Sequence, residues 1–251
     1  MKELEGRSAI VTGASRGIGL AVARLFAAHG ASLVMVARDP ARLEAARQSL
    51  VAAGATAIAI AGDTADPATA QAAAEAAAHS FGGPDILANI AGAFPTARVE
   101  DTTDALYAET IAANLTGTFL MCRAVLPLMR AKGRGAIVNM SSTAARLPTP
   151  GLAVYGASKA GIEAFTRALA VEVAPQIRAN VVSAGPTLTE TVSALMGVDG
   201  TGAVDTVTSG MPLQRLADPA EIAEAVLFLA SDRSSFVTGQ VLHANGGGIM
   251  A

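Results

Sequence analysis

The chain of 251 residues is 51% apolar and carries a net charge of -3 with a pI near 5.6, so its charge balance gives no reason to expect nucleic acid or an anionic membrane as partner. Its opening, MKELEGR, is charged, and no uninterrupted apolar run approaches membrane-spanning length, which predicts a cytoplasmic protein. A single cysteine, Cys122, excludes an internal disulfide framework, and three scattered histidines outline no metal site.

Short β-branched runs alternate with Ala-rich helical stretches along the whole chain. SAIVT (8–12) predicts a first strand and residues 17–29 a helix; SLVMVA (32–37) and TAIAIA (56–61) are strands, followed by helices near 40–53 and 67–81. DILANI (85–90) precedes a long helix over 104–131, and GAIVNMS (135–141) precedes another over 155–174. IRANVVS (177–183), a helix over 219–230 and QVLHA (240–244) complete the alternation. Asp39-Pro40, Asp66-Pro67 and Asp218-Pro219 each mark a helix start, with aspartate as cap and proline in the first turn; Glu221 completes a capping box in the third. Near-continuous apolar strands in strict alternation with helices predict an α/β fold, a doubly wound Rossmann-type parallel sheet of about seven strands, in one domain spanning 1–251. One stretch has no period: residues 188–212 carry Gly197, Gly200, Gly202 and Gly210, which predicts a mobile substrate lid.

Ligands of such a sheet bind beyond the carboxyl ends of its strands. There, TGASRGIG places Gly13, Gly17 and Gly19 between the first strand and the first helix, with Ser15, Arg16 and Ile18 between and beside them. A tight turn, close backbone approach and a helix N-terminus suit a pyrophosphate, and the absence of a Gly-Lys-Ser/Thr ending disfavours a phosphoryl-transfer loop. The second strand ends in Ala37-Arg38. Asp39 is better read as the cap of the next helix than as a ribose ligand, and two guanidiniums, Arg16 and Arg38, suit a 2′-phosphate and hence NADP(H) over NAD(H).

Only three lysines occur against fifteen arginines, yet Lys159 stands four residues after Tyr155 on one helix face among Ala and Gly. Ser142 ends the fifth strand, and Asn114 sits inside the long helix, where its side chain competes for backbone hydrogen bonds. Taken in order, TGASRGIG, Asp63 in GDTAD, NIAG (89–92), Asn114, Ser142, YGASK (155–159), AGPTLTE (184–190) and VTGQVLHANGG resemble the short-chain dehydrogenase/reductase family over essentially the whole chain. The resemblance implies that Tyr155 is the general acid or base and that Ser142 holds and polarises the substrate carbonyl. It further implies that Lys159 binds the nicotinamide ribose and lowers the tyrosine pKa, and that Asn114 orients a relay water. On the same basis Asp63 would contact the adenine amino group, Asn89, Ala91 and Gly92 the adenosine side, and Thr187 and Thr189, after Gly185, the carboxamide and pyrophosphate.

Two positions depart from the family pattern: Ile90 replaces the second asparagine of Asn-Asn-Ala-Gly, and Ala184 replaces the proline of Pro-Gly. The expected substrate pocket is Ala93, Phe94, Thr143, Ala144, Leu147, Leu152, Pro186, Leu195 and Met196, uncharged throughout, which favours a neutral small-molecule carbonyl or its alcohol. An acyl-carrier-linked 3-oxoacyl reductase is the nearest alternative, and a non-catalytic nucleotide-binding regulator is the alternative of another class. The family further implies a homotetramer built on the helices at 104–131 and 155–174.

Overall fold

In the computed structural model, which describes residues 2–196 and 207–250, seven parallel strands lie in the order β3-β2-β1-β4-β5-β6-β7. They are β1 (Ser8–Thr12), β2 (Ser32–Ala37), β3 (Ala57–Ala61), β4 (Ile86–Asn89), β5 (Gly135–Ser142), β6 (Ile177–Ala184) and β7 (Val241–Ala244). The helices are α1 (Gly17–Ala28), α2 (Pro40–Ala52), α3 (Pro67–Phe81), α4 (Asp104–Ile111), α5 (Gly117–Lys132), α6 (Ala153–Val173), α7 (Glu190–Met196) and α8 (Pro219–Ala230). The strands and the longer helices fall within one or two residues of their sequence-based spans.

Alternation along each strand divides the core into two layers. Ala9 and Val11 of β1 join Leu33 and Met35 of β2 under α1, α2 and α8, whereas Ile10, Val34 and Val36 face α3, α5 and α6. The Asp-Pro signals all hold: Asp39 accepts from Arg42 N, Asp66 from Ala68 N, and Asp218 forms a reciprocal capping box with Glu221. Residues Asp104–Lys132 form one continuous helical stretch that is apolar enough to cross a membrane by length and composition. Its inner residues Leu120, Met121, Cys122, Val125 and Met129 are instead buried against the sheet.

The chain order reverses between β1 and β4, which opens a crevice at their carboxyl ends. At the opposite edge, Asp85 accepts from Ser8 N at 3.0 Å and lies 3.0 Å from Lys132 Nζ and 2.8 Å from Arg134 Nε. Burial alone would raise its carboxyl, but the Ser8 N–H and the two cations hold it below the ordinary value.

In the stretch 188–212 the described residues include a short helix that the sequence pattern did not predict. Residues Glu190–Met196 are helical, started by the Thr189 hydroxyl, which accepts from Val192 N at 3.3 Å. At its far end Met211 is buried, and Leu213 N donates to Gly246 O at 3.1 Å. Gly197, Gly200 and Gly202, and the side chains of Leu195 and Met196, lie outside the described residues.

Candidate active site

The loop from β1 to α1 is set by two devices. Gly13 takes φ +68°, and a Cβ there would meet Ala91 at 3.1 Å, so the two loops at the crevice approach closely. The Thr12 hydroxyl accepts from Ile90 N at 2.9 Å and Ala91 N at 3.0 Å, holding the exit of β4 through its backbone. Ile90 packs its side chain against the core. Thr12 was not read as a site residue; its position at the end of the first strand was the available signal.

These loops wall a cleft of about 480 Å³. Gly13, Ser15, Arg16, Gly17, Ile18, Gly19, Arg38, Asp63, Ala91, Gly92 and Thr189 all line it, and Arg42 and Glu190 join them. Asp39 lines it too, with its carboxylate engaged as the α2 cap. Asp63 is exposed at the rim, where its carboxylate accepts from Ala65 N at 2.9 Å.

Two expected cofactor residues are placed differently. Asn89 is buried; its amide donates to Asn139 Oδ1 at 2.9 Å and approaches the Cys122 sulfur at 3.4 Å. It stitches β4 to β5 and α5 instead of facing the cleft. The Thr187 hydroxyl turns back to Gly185 O at 2.9 Å, and the residue is buried in a bridge with Ala217. Gly185 itself is tied to β7 through Ala244 O, and Ala184 simply extends β6, pairing with Ala244. The Cys122 thiol is pushed up to about 12 by burial, which makes it inert core filling.

The four expected catalytic residues converge beside Gly92. Asn114 lies in a π-helical turn, Ala112–Thr116, between α4 and α5, which is how a poor helix residue is housed. Fully buried, it donates to Ala93 O and Thr110 O, both at 3.0 Å, and accepts from Ala93 N at 3.3 Å. A Cβ on Gly92 would sit 2.6 Å from Asn114 Oδ1 and 3.3 Å from Lys159 Nζ, so only glycine lets the three meet. Lys159 donates to Met140 O at 3.1 Å, and among the described residues no carboxylate reaches ion-pair distance. Burial drops its pKa to about 8.

Ser142, in extended conformation at the end of β5, accepts from Ala144 N at 3.2 Å, and its hydroxyl favours the ionised form of the neighbouring Tyr155 phenol. Burial raises that phenol above its ordinary value, and Ser142 offsets part of the rise. Lys159 Nζ lies 5.7 Å from the centre of the ring, and burial of the phenol dominates.

Around this group, Phe94 stacks edge-on to Tyr155 with centroids 4.8 Å apart, and Thr143 and Ala144 form the turn that follows Ser142. Leu147 N closes that turn on Thr143 O, Leu152 caps the start of α6, and half-buried Pro186 follows β6. Ala93 is the loop residue gripped by Asn114. A narrow recess against Tyr155 adds Pro95, Ala97, Leu106, Gly151 and Val154, which sequence reading missed. Ala97 N bonds Gly151 O at 3.0 Å, joining the loops after β4 and β5 into one wall.

A family model for enoyl-(acyl carrier protein) reductase, one of the short-chain dehydrogenase/reductase models, matches residues 13–248. The chain belongs to the short-chain dehydrogenase/reductase family. It is 40% identical to a D-threitol dehydrogenase of Mycolicibacterium smegmatis over 97% of this chain and 93% of that one. It is 37% identical to a 3-oxoacyl-[acyl-carrier-protein] reductase of Vibrio cholerae, covering 97% and 98%. Among solved structures, L-sorbose reductase of Gluconobacter frateurii, complexed with NADPH and L-sorbose, superposes with a TM-score of 0.94 at 34% identity, covering 100% of both chains. The family's fold is that of this molecule, an oxidoreductase of that family.

Proposed function

We propose that this protein is an NADP(H)-dependent carbonyl reductase, acting reversibly on a neutral ketone and its secondary alcohol. One observation carries the reading: the neighbouring Ser142 and Tyr155 hydroxyls, beside buried Lys159, lie near both the cleft and a recess of uncharged residues. The cleft fits the cofactor. Its turn is shaped by Gly13, its floor is the start of α1 with no acidic residue in the first turn, and Arg16 and Arg38 face it.

When bound, a nicotinamide supplies or accepts the hydride. The chain's own residues do the rest. Ser142 donates to the carbonyl oxygen and polarises it, and Tyr155, a protonated phenol near neutrality, gives its proton to that oxygen. Lys159 holds a positive charge beneath the phenol and would grip the nicotinamide ribose, while Asn114 fixes the loop at Ala93 that walls the site. In alcohol oxidation the same phenol, deprotonated, takes the proton back. Segment 188–212 would close over the substrate, from the start of α7 to anchored Met211. Exposed Tyr107, Phe119 and Val171 on α4, α5 and α6 suit the family's homotetramer, and one buried cysteine suits the cytoplasm.

The names of two relatives, 3-oxoacyl-[acyl-carrier-protein] reductases, favour a second substrate class, a carrier-linked 3-oxoacyl group. Intact Ser142, Tyr155 and Lys159 count against a non-catalytic regulator. A panel of neutral ketones, ketoses and a carrier-linked 3-oxoacyl substrate, with NADPH or NADH oxidation followed by absorbance, tests the reading. Turnover of neutral ketones with NADPH supports it. Turnover confined to the carrier-linked substrate, or faster turnover with NADH, would replace it.

A further inference from the structure

Across the mouth of the cleft, Glu190 makes two ion pairs that bind distant parts of the chain. Its Oε2 lies 2.8 Å from Arg42 Nη1 and 3.8 Å from Arg16 Nη1. Arg16 stands at the N-cap of α1, Arg42 is in the first turn of α2, and Glu190 opens α7, so one carboxylate ties the start of α7 to α1 and α2. Arg42 is steadied further by Asp39, 3.7 Å away. Among the described residues Arg38 has no carboxylate at ion-pair distance, although it lines the same cleft.

Three guanidiniums therefore face the place expected for a nucleotide ribose, and the carboxylate at the start of α7 already occupies two of them. A 2′-phosphate carries up to two negative charges and takes guanidinium forks best. To recruit Arg16 or Arg42 it must displace Glu190. A dinucleotide with a free 2′-hydroxyl makes no such demand and leaves both ion pairs in place.

We propose that Glu190 is a specificity-determining residue: its carboxylate competes with the nucleotide 2′-phosphate for Arg16 and Arg42, holding down the preference for NADP(H) over NAD(H). The proposal deepens the NADP(H) reading, and it makes Arg42 a third phosphate-facing cation.

The test is equilibrium binding of NADPH and NADH, read by nicotinamide fluorescence, to wild type, Glu190→Gln, Arg42→Ala and the double variant. Removing the competitor should tighten NADPH by about two- to fivefold, the range for exposed ion pairs, and leave NADH unchanged. The gain should shrink when Arg42 is already alanine, because part of the competition runs through it. Glu75→Gln, on α3 outside the cleft, removes the same charge and should change neither cofactor. Equal tightening of both cofactors, no change in either, weaker NADPH binding, or the same gain from Glu75→Gln would overturn the proposal. A wild type that prefers NADH would refute the NADP(H) reading alone, since the shift in the NADPH-to-NADH ratio on Glu190→Gln remains measurable and still decides the role of Glu190.

Discussion

At the N-terminal edge of the sheet, Asp85 is 3% exposed and meets Lys132, Arg134, Arg7 and the Ser8 amide. At the C-terminal edge, Lys159 is equally buried at 3%, yet its one hydrogen bond goes to the Met140 carbonyl. The carboxylate is surrounded by more cations than it needs and is held ionised, whereas burial pulls the ammonium toward its neutral form. A buried charge with full pairing serves the fold. One left short of partners, beside a cleft, is held ready for a ligand and its proton traffic.

The largest expected effect falls at the C-terminal edge. Tyr155→Phe keeps the ring against Phe94 but removes the proton donor, so kcat should fall by ~10²–10⁴-fold while the denaturation midpoint stays near wild type. Steady-state kinetics and urea unfolding on the same preparation check both halves; near-normal turnover would remove Tyr155 from its role.

The counterpart at the other edge is Asp85→Asn. It leaves Lys132 and Arg134 without their counter-charge, and because both cations are partly exposed the loss of stability should be about 2–4 kcal/mol, with kcat unchanged. The folded carboxyl is depressed, so its contribution is fully present above the ordinary carboxylate pKa and fades as pH falls through the folded value. The variant's deficit should therefore be largest near neutrality and shrink in acid, as urea titrations at a series of pH values would show.

Smaller again is Arg38→Ala, which should weaken NADPH by ~1.5–3 kcal/mol and leave NADH nearly untouched in a fluorescence titration. Equal losses for the two cofactors would show that Arg38 serves the cleft generally.

What could be read from the sequence divides along physical lines. The strands, the three Asp-Pro caps and the placement of Ser142, Tyr155 and Lys159 follow from local periodicity, capping chemistry and an ordered motif set, all local in sequence. Asn89 was also legible in principle: period two puts it on the face of Leu87, and its partner across the ladder is Asn139, so its amide points into the helix layer. The motif outweighed the alternation in the sequence reading. The helix of α7 and the link of Glu190 to Arg16 and Arg42 were not legible, because seven residues give too short a period and the carboxylate and its cations meet only after folding. Nor could residue identity show how far burial raises the Tyr155 phenol, which depends on what surrounds it.

The comparison between the two edges rests on Lys159 being retained at a loss to stability. Its pKa near 8, against an ordinary 10.5, means that near neutrality the folded chain keeps the ammonium buried at a cost of roughly 3 kcal/mol, and that between those values it releases a proton the unfolded chain keeps. Stability should accordingly rise with pH between those values. Urea unfolding of wild type and Lys159→Met at pH 7 and pH 10, with turnover measured alongside, is the direct test. The methionine variant should be more stable at pH 7 by ~1–3 kcal/mol, lose that advantage toward pH 10, and have almost no activity. A variant no more stable than wild type at pH 7, or one that still turns over, would contradict the account.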